Sequence, residues 1–240
     1  ALRFDSKGRA KLATVAHVLM EDQSTGLVGA YLECDGDCTK EDAWKSAPLE
    51  NAFHTDFDAL PFPPAISLAL TDDDRPRVAI IGQDDASQRR VTYFECDADC
   101  ATDTSWKGIV LSDLHEIGPG IDIAIDGKGE PRIAYTLDYN IGILHCEGDD
   151  CTAQGAAWDV AKVELSGEMD PDTIFLEENC HVAAWFLHTP SIALSEGGAP
   201  RVGYQARDIS GGWDNPDHDE PDCVAGTDMT WSRFAQLSAM

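Results

Sequence analysis

A short phrase with two cysteines and several acids occurs three times in this chain, and it limits the folds that the chain can adopt. The copies read YLECDGDC at residues 31–38, YFECDADC at 93–100 and ILHCEGDDC at 143–151. An apolar run precedes the first cysteine of each copy, which favours a β-strand. A tryptophan follows each second cysteine within ten residues, at Trp44, Trp106 and Trp158. Recurrence of such a unit indicates a repeat protein.

A second phrase accompanies the first and reads as a β-hairpin. It appears as ISLALTDDDRPRVAII at 66–81, IDIAIDGKGEPRIAYT at 121–136 and SIALSEGGAPRVGYQ at 191–205, with a weaker copy, LRFDSKGRAKLATVA, at the start of the chain. Each copy has two alternating runs around a polar turn, which is typical of two paired strands. The cysteine strand and then a tryptophan strand (AWKSAPL, SWKGIVL, AWDVAKVEL, TWSRFAQL) follow, so each unit supplies four strands.

Four-stranded units at this period predict an all-β fold, a β-propeller-like repeat domain of about four four-stranded blades. We expect one domain over 1–240, with units at about 1–50, 51–113, 114–166 and 167–240. Each cysteine pair then clips the outer turn of its blade, and each repeated tryptophan packs between blades. An irregular two-sheet fold or a repeat pair is the alternative.

The eight cysteines predict disulfides and therefore an oxidising compartment. Proximity pairs Cys34 with Cys38, Cys96 with Cys100 and Cys146 with Cys151. Cys180 and Cys223 remain, and we expect a long-range bridge between the two irregular segments that contain them. Structural zinc is less suitable, because it needs four ligands near one another.

The formal net charge of -27 narrows the range of partners. Nucleic-acid binding relies on phosphate neutralisation by Lys and Arg, so DNA, RNA and anionic membranes are excluded as partners. Metal ions and basic proteins are the partners that suit this charge. No apolar run reaches the length of a transmembrane segment. The chain opens inside a repeat, and we interpret it as a mature or truncated form of a protein that is secreted or lies on the outer cell surface.

Histidines concentrate in the segments that join one predicted blade to the next. These are His54, His115, His181 and His188. In a propeller such connectors share one face and approach the axis, so their imidazoles can converge. Imidazole ligands without thiolate suit copper, zinc or nickel. The alternative is that these residues are ordinary loop histidines.

Cysteine-clipped acidic repeats and irregular segments with histidine and tryptophan resemble the secreted copper-binding surface proteins of methane-oxidising bacteria, the MopE and CorA type. The local match is AAWFLH, which contains Trp185 and His188. The resemblance implies a Gram-negative outer cell surface and one copper ion. It also implies that two histidines and a kynurenine made from tryptophan bind that copper, and that a di-haem peroxidase-like partner makes the modification. In that family the modified tryptophan stands two residues from a ligand histidine, whereas Trp185 and His188 are three apart. A lone tryptophan in an apolar run more often anchors a segment on the core.

Calcium is the second metal that the sequence suggests. The acidic turns DGDCTKED (35–42) and DADCATD (97–103) offer oxygens at alternating positions, which calcium favours, and DNPDHDEPD (214–222) is the densest acidic stretch. The candidate ligands are Asp214, Asp217, Asp219 and Asp222. Solvated carboxylates are the alternative, and for the acids between the paired cysteines they are favoured over calcium.

Catalytic motifs are missing from the sequence. Neither G-x-S-x-G nor H-E-x-x-H occurs, and the cysteines are assigned to bridges. We therefore expect a secreted metal-binding protein, most consistent with copper, rather than an enzyme. The alternatives are a rigid acidic module that docks a basic protein or a glycan, and a hydrolase or lyase centred in the propeller channel.

Overall fold

The structure is a computed structural model that describes residues 1–19, 25–49, 65–83, 89–112, 117–137, 139–148, 150–166, 169, 185–208 and 230–238. These residues form β-strands and two single-turn 3-10 helices, Glu41–Ala43 and Asp103–Ser105. The strands are grouped in four antiparallel sheets, numbered here in chain order.

Each sheet is built from strands that follow one another in the sequence. Sheet 1 contains β1 (Leu2–Phe4), β2 (Ala10–Leu19), β3 (Thr25–Cys34) and β4 (Trp44–Pro48). Sheet 2 contains β5 (Ala65–Leu70), β6 (Pro76–Gln83), β7 (Arg89–Cys96) and β8 (Trp106–Ser112). Sheet 3 contains β9 (Ile117–Ile125), β10 (Pro131–Leu137), β11 (Asn140–Cys146) and β12 (Trp158–Glu164). Sheet 4 contains β13 (Trp185–Leu194), β14 (Pro200–Asp208) and β15 (Thr230–Gln236).

This architecture confirms the predicted all-β class, with repeated antiparallel sheets and disulfide-clipped turns. Strand neighbours in each sheet are also neighbours in the sequence, so every sheet is a meander. Closure of the sheets into a propeller and the division into units stay predictions.

One strand takes a different place from the predicted one. We expected TWSRFAQL to form the outer, fourth strand of the last unit, like the other tryptophan strands. In the structure β15 pairs directly with β14, with Phe234 opposite Gly203. In sheets 1 to 3 the cysteine-bearing third strand holds this place. A tryptophan near the start of a strand was therefore an insufficient signal for its place in the sheet.

The hairpin turns between first and second strands share one design. Asp5 accepts hydrogen bonds from the backbone amides of Lys7 and Arg9 at 3.0 and 2.8 Å. Asp126 accepts from the amides of Lys128 and Glu130, both at 2.9 Å. Thr71 and Ser195 use hydroxyl oxygens in the same position. Such short side chains satisfy turn amides locally, which explains why the repeat keeps an acid or hydroxyl there.

Three disulfides clip the turns between the third and fourth strands, as predicted. They connect Cys34 to Cys38, Cys96 to Cys100, and Cys146 to Cys151. Beside each one, the indole N–H of the following tryptophan donates to the carbonyl oxygen of the second cysteine, at 3.1, 2.8 and 2.9 Å. The cysteine pair and the tryptophan therefore form one structural unit. Cys180 and Cys223 lie outside the described residues, and their bridge stays a prediction.

A buried cation supports each of these turns from the second strand. Arg77 Nη1 donates to the carbonyl oxygen of Cys96 at 2.9 Å, and Arg132 Nη1 donates to that of Cys146 at 3.1 Å. Lys11 holds the equivalent place in sheet 1 and pairs with Glu33 at 2.7 Å. A buried charge must be paired or hydrogen-bonded to be tolerated, and these residues satisfy that condition while fixing the end of the cysteine strand.

Consecutive sheets pack face to face through three apolar clusters. Sheets 1 and 2 share one cluster, sheets 2 and 3 a second, and sheets 3 and 4 a third. The ring centroids of Tyr31 and Trp106 lie 5.0 Å apart across the first interface, and those of Tyr93 and Trp158 lie 5.3 Å apart across the second. The prediction that the repeated tryptophans pack between sheets is confirmed for Trp106 and Trp158.

Candidate functional site

The meander divides the turns of every sheet between two edges. Turns between first and second strands and between third and fourth strands lie at one edge, because each turn reverses the chain direction. We call this the clip edge, which contains the turns at 5–9, 35–43, 71–75, 97–105, 126–130, 147–157 and 195–199. The opposite edge, where second strands turn into third strands and where one sheet leads to the next, is the connector edge.

The predicted metal ligands belong to segments that start and end at the connector edge. His54 lies between β4 and β5, His115 between β8 and β9, and His181 between β12 and β13. The candidate calcium ligands Asp214, Asp217, Asp219 and Asp222 lie between β14 and β15. All of these residues are outside the described ranges, so their ligand roles stay predictions.

His188 is the one predicted ligand that the structure describes, and it lies in β13 near the connector edge. Its ring packs against that of Phe186, tilted by 31° with centroids 5.1 Å apart. Nδ1 lies 3.2 Å from the hydroxyl oxygen of Thr189, and Nε2 is buried with no hydrogen-bond partner among the described residues. Burial, together with the charge of Arg207, lowers the pKa of His188 from its ordinary value of 6.5. The imidazole is therefore biased toward the neutral form, which is the form that binds metals.

Trp185 occupies the other face of the same strand. It is 3% exposed and lies in the cluster between sheets 3 and 4, with its ring centroid 5.6 Å from that of Trp231. Side chains alternate along a strand, so Trp185 and Leu187 point into this cluster while Phe186 and His188 point away from it. The expectation that Trp185 lies beside the His188 ring is wrong, because the backbone of β13 separates the two. The alternative interpretation, a tryptophan that anchors its segment on the core, agrees with this burial.

An aromatic group lies beside His188 at the connector edge. Tyr139 meets Phe186 edge-on with centroids 5.2 Å apart, and 47% of Tyr139 is exposed. The Tyr139 carbonyl accepts the amide of Leu187 at 3.0 Å, which joins sheet 3 to sheet 4 here. Tyr139 and Thr189 both have positive φ, at 65° and 49°. Backbone conformations that are rare for such residues concentrate at functional sites, so this group marks a candidate site.

A polar row crosses three sheets beside this group. Ser67, Asp122 and Ser191 hold equivalent places on β5, β9 and β13, and both hydroxyls donate to the Asp122 carboxylate. Gly120 lies nearby with φ of 101°, and a Cβ there would lie 2.6 Å from Thr189 Cα. A residue with a side chain is therefore excluded at this crossing of β9 and β13. Sequence reasoning missed the row, although an acid inside the apolar run IDIAI is a visible signal.

The clip edge is acidic and solvent-exposed. Asp35, Asp97, Asp99, Glu147 and Asp150 all have exposed side chains in the disulfide-bonded turns. Cations partly balance them, as in the pairs Arg77–Asp97 at 2.9 Å and Lys107–Asp150 at 3.8 Å. Within the described ranges, no group of three or more His, Cys, Asp or Glu side chains could hold a metal ion. The described part of the chain also contains no helix long and apolar enough to cross a membrane.

Comparisons with known proteins assign no family to this chain. No protein-family model matches it, and no curated protein matches it. Among solved structures, the chain is similar to a fucose lectin from Kordia zhangzhouensis in complex with methyl-fucoside, with 11% sequence identity and a TM-score of 0.37. The match covers 67% of this chain and 95% of the lectin chain.

Proposed function

We propose that this protein binds a transition-metal ion, copper first among them, at the connector edge and that His188 is a ligand. The observation that carries the proposal is the buried Nε2 of His188, which has no hydrogen-bond partner among the described residues. An unpaired buried polar atom costs roughly 1–3 kcal/mol. A bound metal ion would remove that cost.

The surroundings of the ring support this role. Nδ1–H can donate to the Thr189 hydroxyl oxygen, which leaves the Nε2 lone pair for a metal. Metal-binding histidines commonly fix their other nitrogen in this way. Packing against Phe186 further restricts the ring. One imidazole does not make a copper site, and we assign the remaining ligands to His54, His115 and His181, whose segments meet the same edge.

The kynurenine that the family resemblance implies does not fit beside His188. Trp185 is buried on the opposite face of β13, so the proposal uses imidazole ligands alone. A di-haem peroxidase-like partner would then have no modified ligand to make. We place the site outside the cytoplasm, because paired disulfides persist in oxidising compartments.

Metal analysis of the purified protein tests this proposal directly. After copper loading and dialysis, we expect bound copper in the wild type and its loss in His188→Ala, with cooperative unfolding retained in both. His145→Ala is the matched control. His145 Nδ1 is also buried and unpartnered among the described residues, but Arg132 lies opposite it in the ladder and repels a cation. Full copper occupancy in His188→Ala would reject His188 as a ligand.

A separate observation favours a second function, the docking of a basic protein at the clip edge. Exposed carboxylates repeat there in the disulfide-bonded turns of sheets 1 to 3, on loops held by indole and guanidinium hydrogen bonds. A rigid acidic edge attracts a cationic segment at long range, and salt screens that attraction. We expect a lysine-rich peptide to bind at low salt and to bind more weakly after Asp35→Asn, Asp99→Asn and Glu147→Gln are combined. Binding that is insensitive to both changes would exclude this edge.

A further inference from the structure

The three interfaces between sheets follow one rule, which defines two kinds of face. The forward face of a sheet contacts the next sheet along the chain. On this face an alanine of the second strand lies opposite a large side chain of the third strand. The pairs are Ala13 and Tyr31 in sheet 1, Ala79 and Tyr93 in sheet 2, and Ala134 and Ile143 in sheet 3. The rear face contacts the preceding sheet and, in sheets 2 and 3, brings Trp106 and Trp158 against those tyrosines.

The rear face of sheet 1 has the same apolar pattern as the rear face of sheet 2. Leu2, Leu12 and Leu32 form a row across the sheet, and the matching row in sheet 2 is Leu68, Val78 and Phe94. The sheet 2 row is 0–2% exposed because sheet 1 covers it. At the edge of sheet 1, by contrast, Leu2 is 47% and Phe4 is 64% exposed.

The forward face of sheet 4 is similarly uncovered. Phe234 lies opposite Gly203, in the place that Tyr31 and Tyr93 hold in sheets 1 and 2. Phe234 is 66% exposed, whereas both tyrosines are 0% exposed. Arg201 is exposed too, although the equivalent Arg77 and Arg132 are buried. Both faces therefore keep the central part of an interface that the chain already makes three times. Sheet 4 differs beside Phe234, where Gln205 and Ser232 stand in the places that Ile81 and Val91 hold in sheet 2.

We propose that these two faces bind each other between copies of the chain, so that sheet 4 of one copy packs on sheet 1 of the next. Phe234 then lies beside Trp44 of the second copy, as Tyr31 lies beside Trp106 within the chain. A second copy is the occupant because it provides the complementary face, and because Leu2, Phe4 and Phe234 are exposed within one copy. The contact between copies thus replaces the closure of sheet 4 on sheet 1 that a four-bladed propeller would make within one chain. Such a contact uses two different surfaces, so it builds a closed ring or an open filament. The inference is independent of metal binding.

The high net charge determines how this association depends on salt. Copies that each carry a formal charge of -27 repel one another. Salt screens repulsion between exposed charges, whereas the attraction between the exposed apolar side chains, Phe234 on one face and Leu2 and Phe4 on the other, persists. Association should therefore strengthen as ionic strength rises, which is opposite to the salt dependence of the acidic clip edge with a basic peptide.

Sedimentation velocity over a range of protein and salt concentrations tests the proposal. The wild type should form oligomers at high salt. Phe234→Asp should abolish them, as should the double variant Leu2→Asp with Phe4→Asp. Val160→Asp is the control, because Val160 is 53% exposed but belongs to the rear face of sheet 3. Phe234→Tyr, which introduces the residue of sheets 1 and 2, should still associate. Circular dichroism of each variant checks that it is folded.

Mixing the two non-associating variants gives the decisive result. Each keeps one intact face, so an equimolar mixture should form a dimer and nothing larger. A wild type that stays monomeric at its highest soluble concentration in salt would overturn the proposal, as would equal loss of association in Val160→Asp. Absence of a dimer in the mixture would also reject the contact between sheet 4 and sheet 1.

Discussion

Ser67 and Asp122 lie in different sheets and share a hydrogen bond of 2.6 Å between Ser67 Oγ and Asp122 Oδ1. The other carboxylate oxygen accepts the amide of Ile192 at 2.9 Å and the hydroxyl of Ser191 at 3.2 Å. One side chain of sheet 3 therefore connects to sheet 2 on one side and to sheet 4 on the other.

We expect Asp122→Ala to lower the free energy of unfolding by about 2–4 kcal/mol, because several donors lose a charged acceptor at once. Chemical denaturation measures the change. Asp35→Ala is the control, since Asp35 is exposed at the clip edge, and it should have almost no effect. Equal effects of the two variants would show that Asp122 does not hold the sheets together.

A pair of tryptophan variants measures the inter-sheet packing. Trp106 and Trp44 make the same indole hydrogen bond, but Trp106 also packs against Tyr31 of the preceding sheet. Trp106 is partly buried, so Trp106→Ala should cost about 3 kcal/mol, the lower end of the usual range for a large aromatic in a core. Trp44→Ala should lower the free energy of unfolding clearly less. It is measured in dilute protein, so that the proposed contact between copies does not bury Trp44. Equal costs would mean that the indole hydrogen bond alone accounts for the contribution of Trp106 to stability.

Tyr204 predicts a loss of stability at high pH. Burial, followed by its hydrogen bond to Glu164, raises the pKa of Tyr204 to about 12. Between the ordinary value of 10.0 and that value the folded protein holds a proton that the unfolded chain has lost, so stability falls as pH rises through this window. Tyr204→Phe should flatten the fall. Identical profiles of wild type and variant above pH 10 would contradict the assignment.

Metal affinity should depend on pH through His188. Because burial lowers the pKa of this ring, protons compete with the metal only below the ordinary value of about 6.5. Isothermal titration with copper should show constant affinity above that pH and a steep decrease at lower pH. Constant affinity down to about pH 5 would indicate carboxylate ligands instead and would favour calcium.

Peptide mapping without reduction checks the remaining bridge. The three short bridges should appear in the digest, and we expect a further peptide that links Cys180 to Cys223. The same digest gives the mass of the Trp185 peptide. An unmodified mass agrees with its buried position, whereas an added mass of a few tens of daltons or less would show oxidation. Free thiol at Cys180 and Cys223 would reject the long-range bridge.

The repeat made much of the fold predictable. Alternation around polar turns located the hairpins, and the spacing of Cys34 to Cys38 fixed a short bridge because few geometries are open to so small a loop. The packing of Trp106 between sheets was predictable because a tryptophan recurs at the same place in each repeat. These features depend on local chemistry that each repeat contains in full.

Other features depended on relations between sheets that no single repeat contains. The place of Trp231 was mispredicted because its strand has a tryptophan near its start but pairs as a third strand. The separation of Trp185 from His188 depends on strand alternation, which their spacing of three positions would have indicated once 185–188 was assigned to a strand. Arg77 and Arg132 were visible in the repeated PRV and PRI, yet their target is a carbonyl on the neighbouring strand.

The order of the interfaces has a consequence for biosynthesis. Each described interface joins a sheet to the one made just before it, and no described cluster requires a distant part of the chain. Tyr31 is thus already in place when Trp106 leaves the ribosome, and Tyr93 is in place for Trp158. The chain can therefore fold in the direction of synthesis, because each folded sheet provides the apolar face against which the next sheet packs.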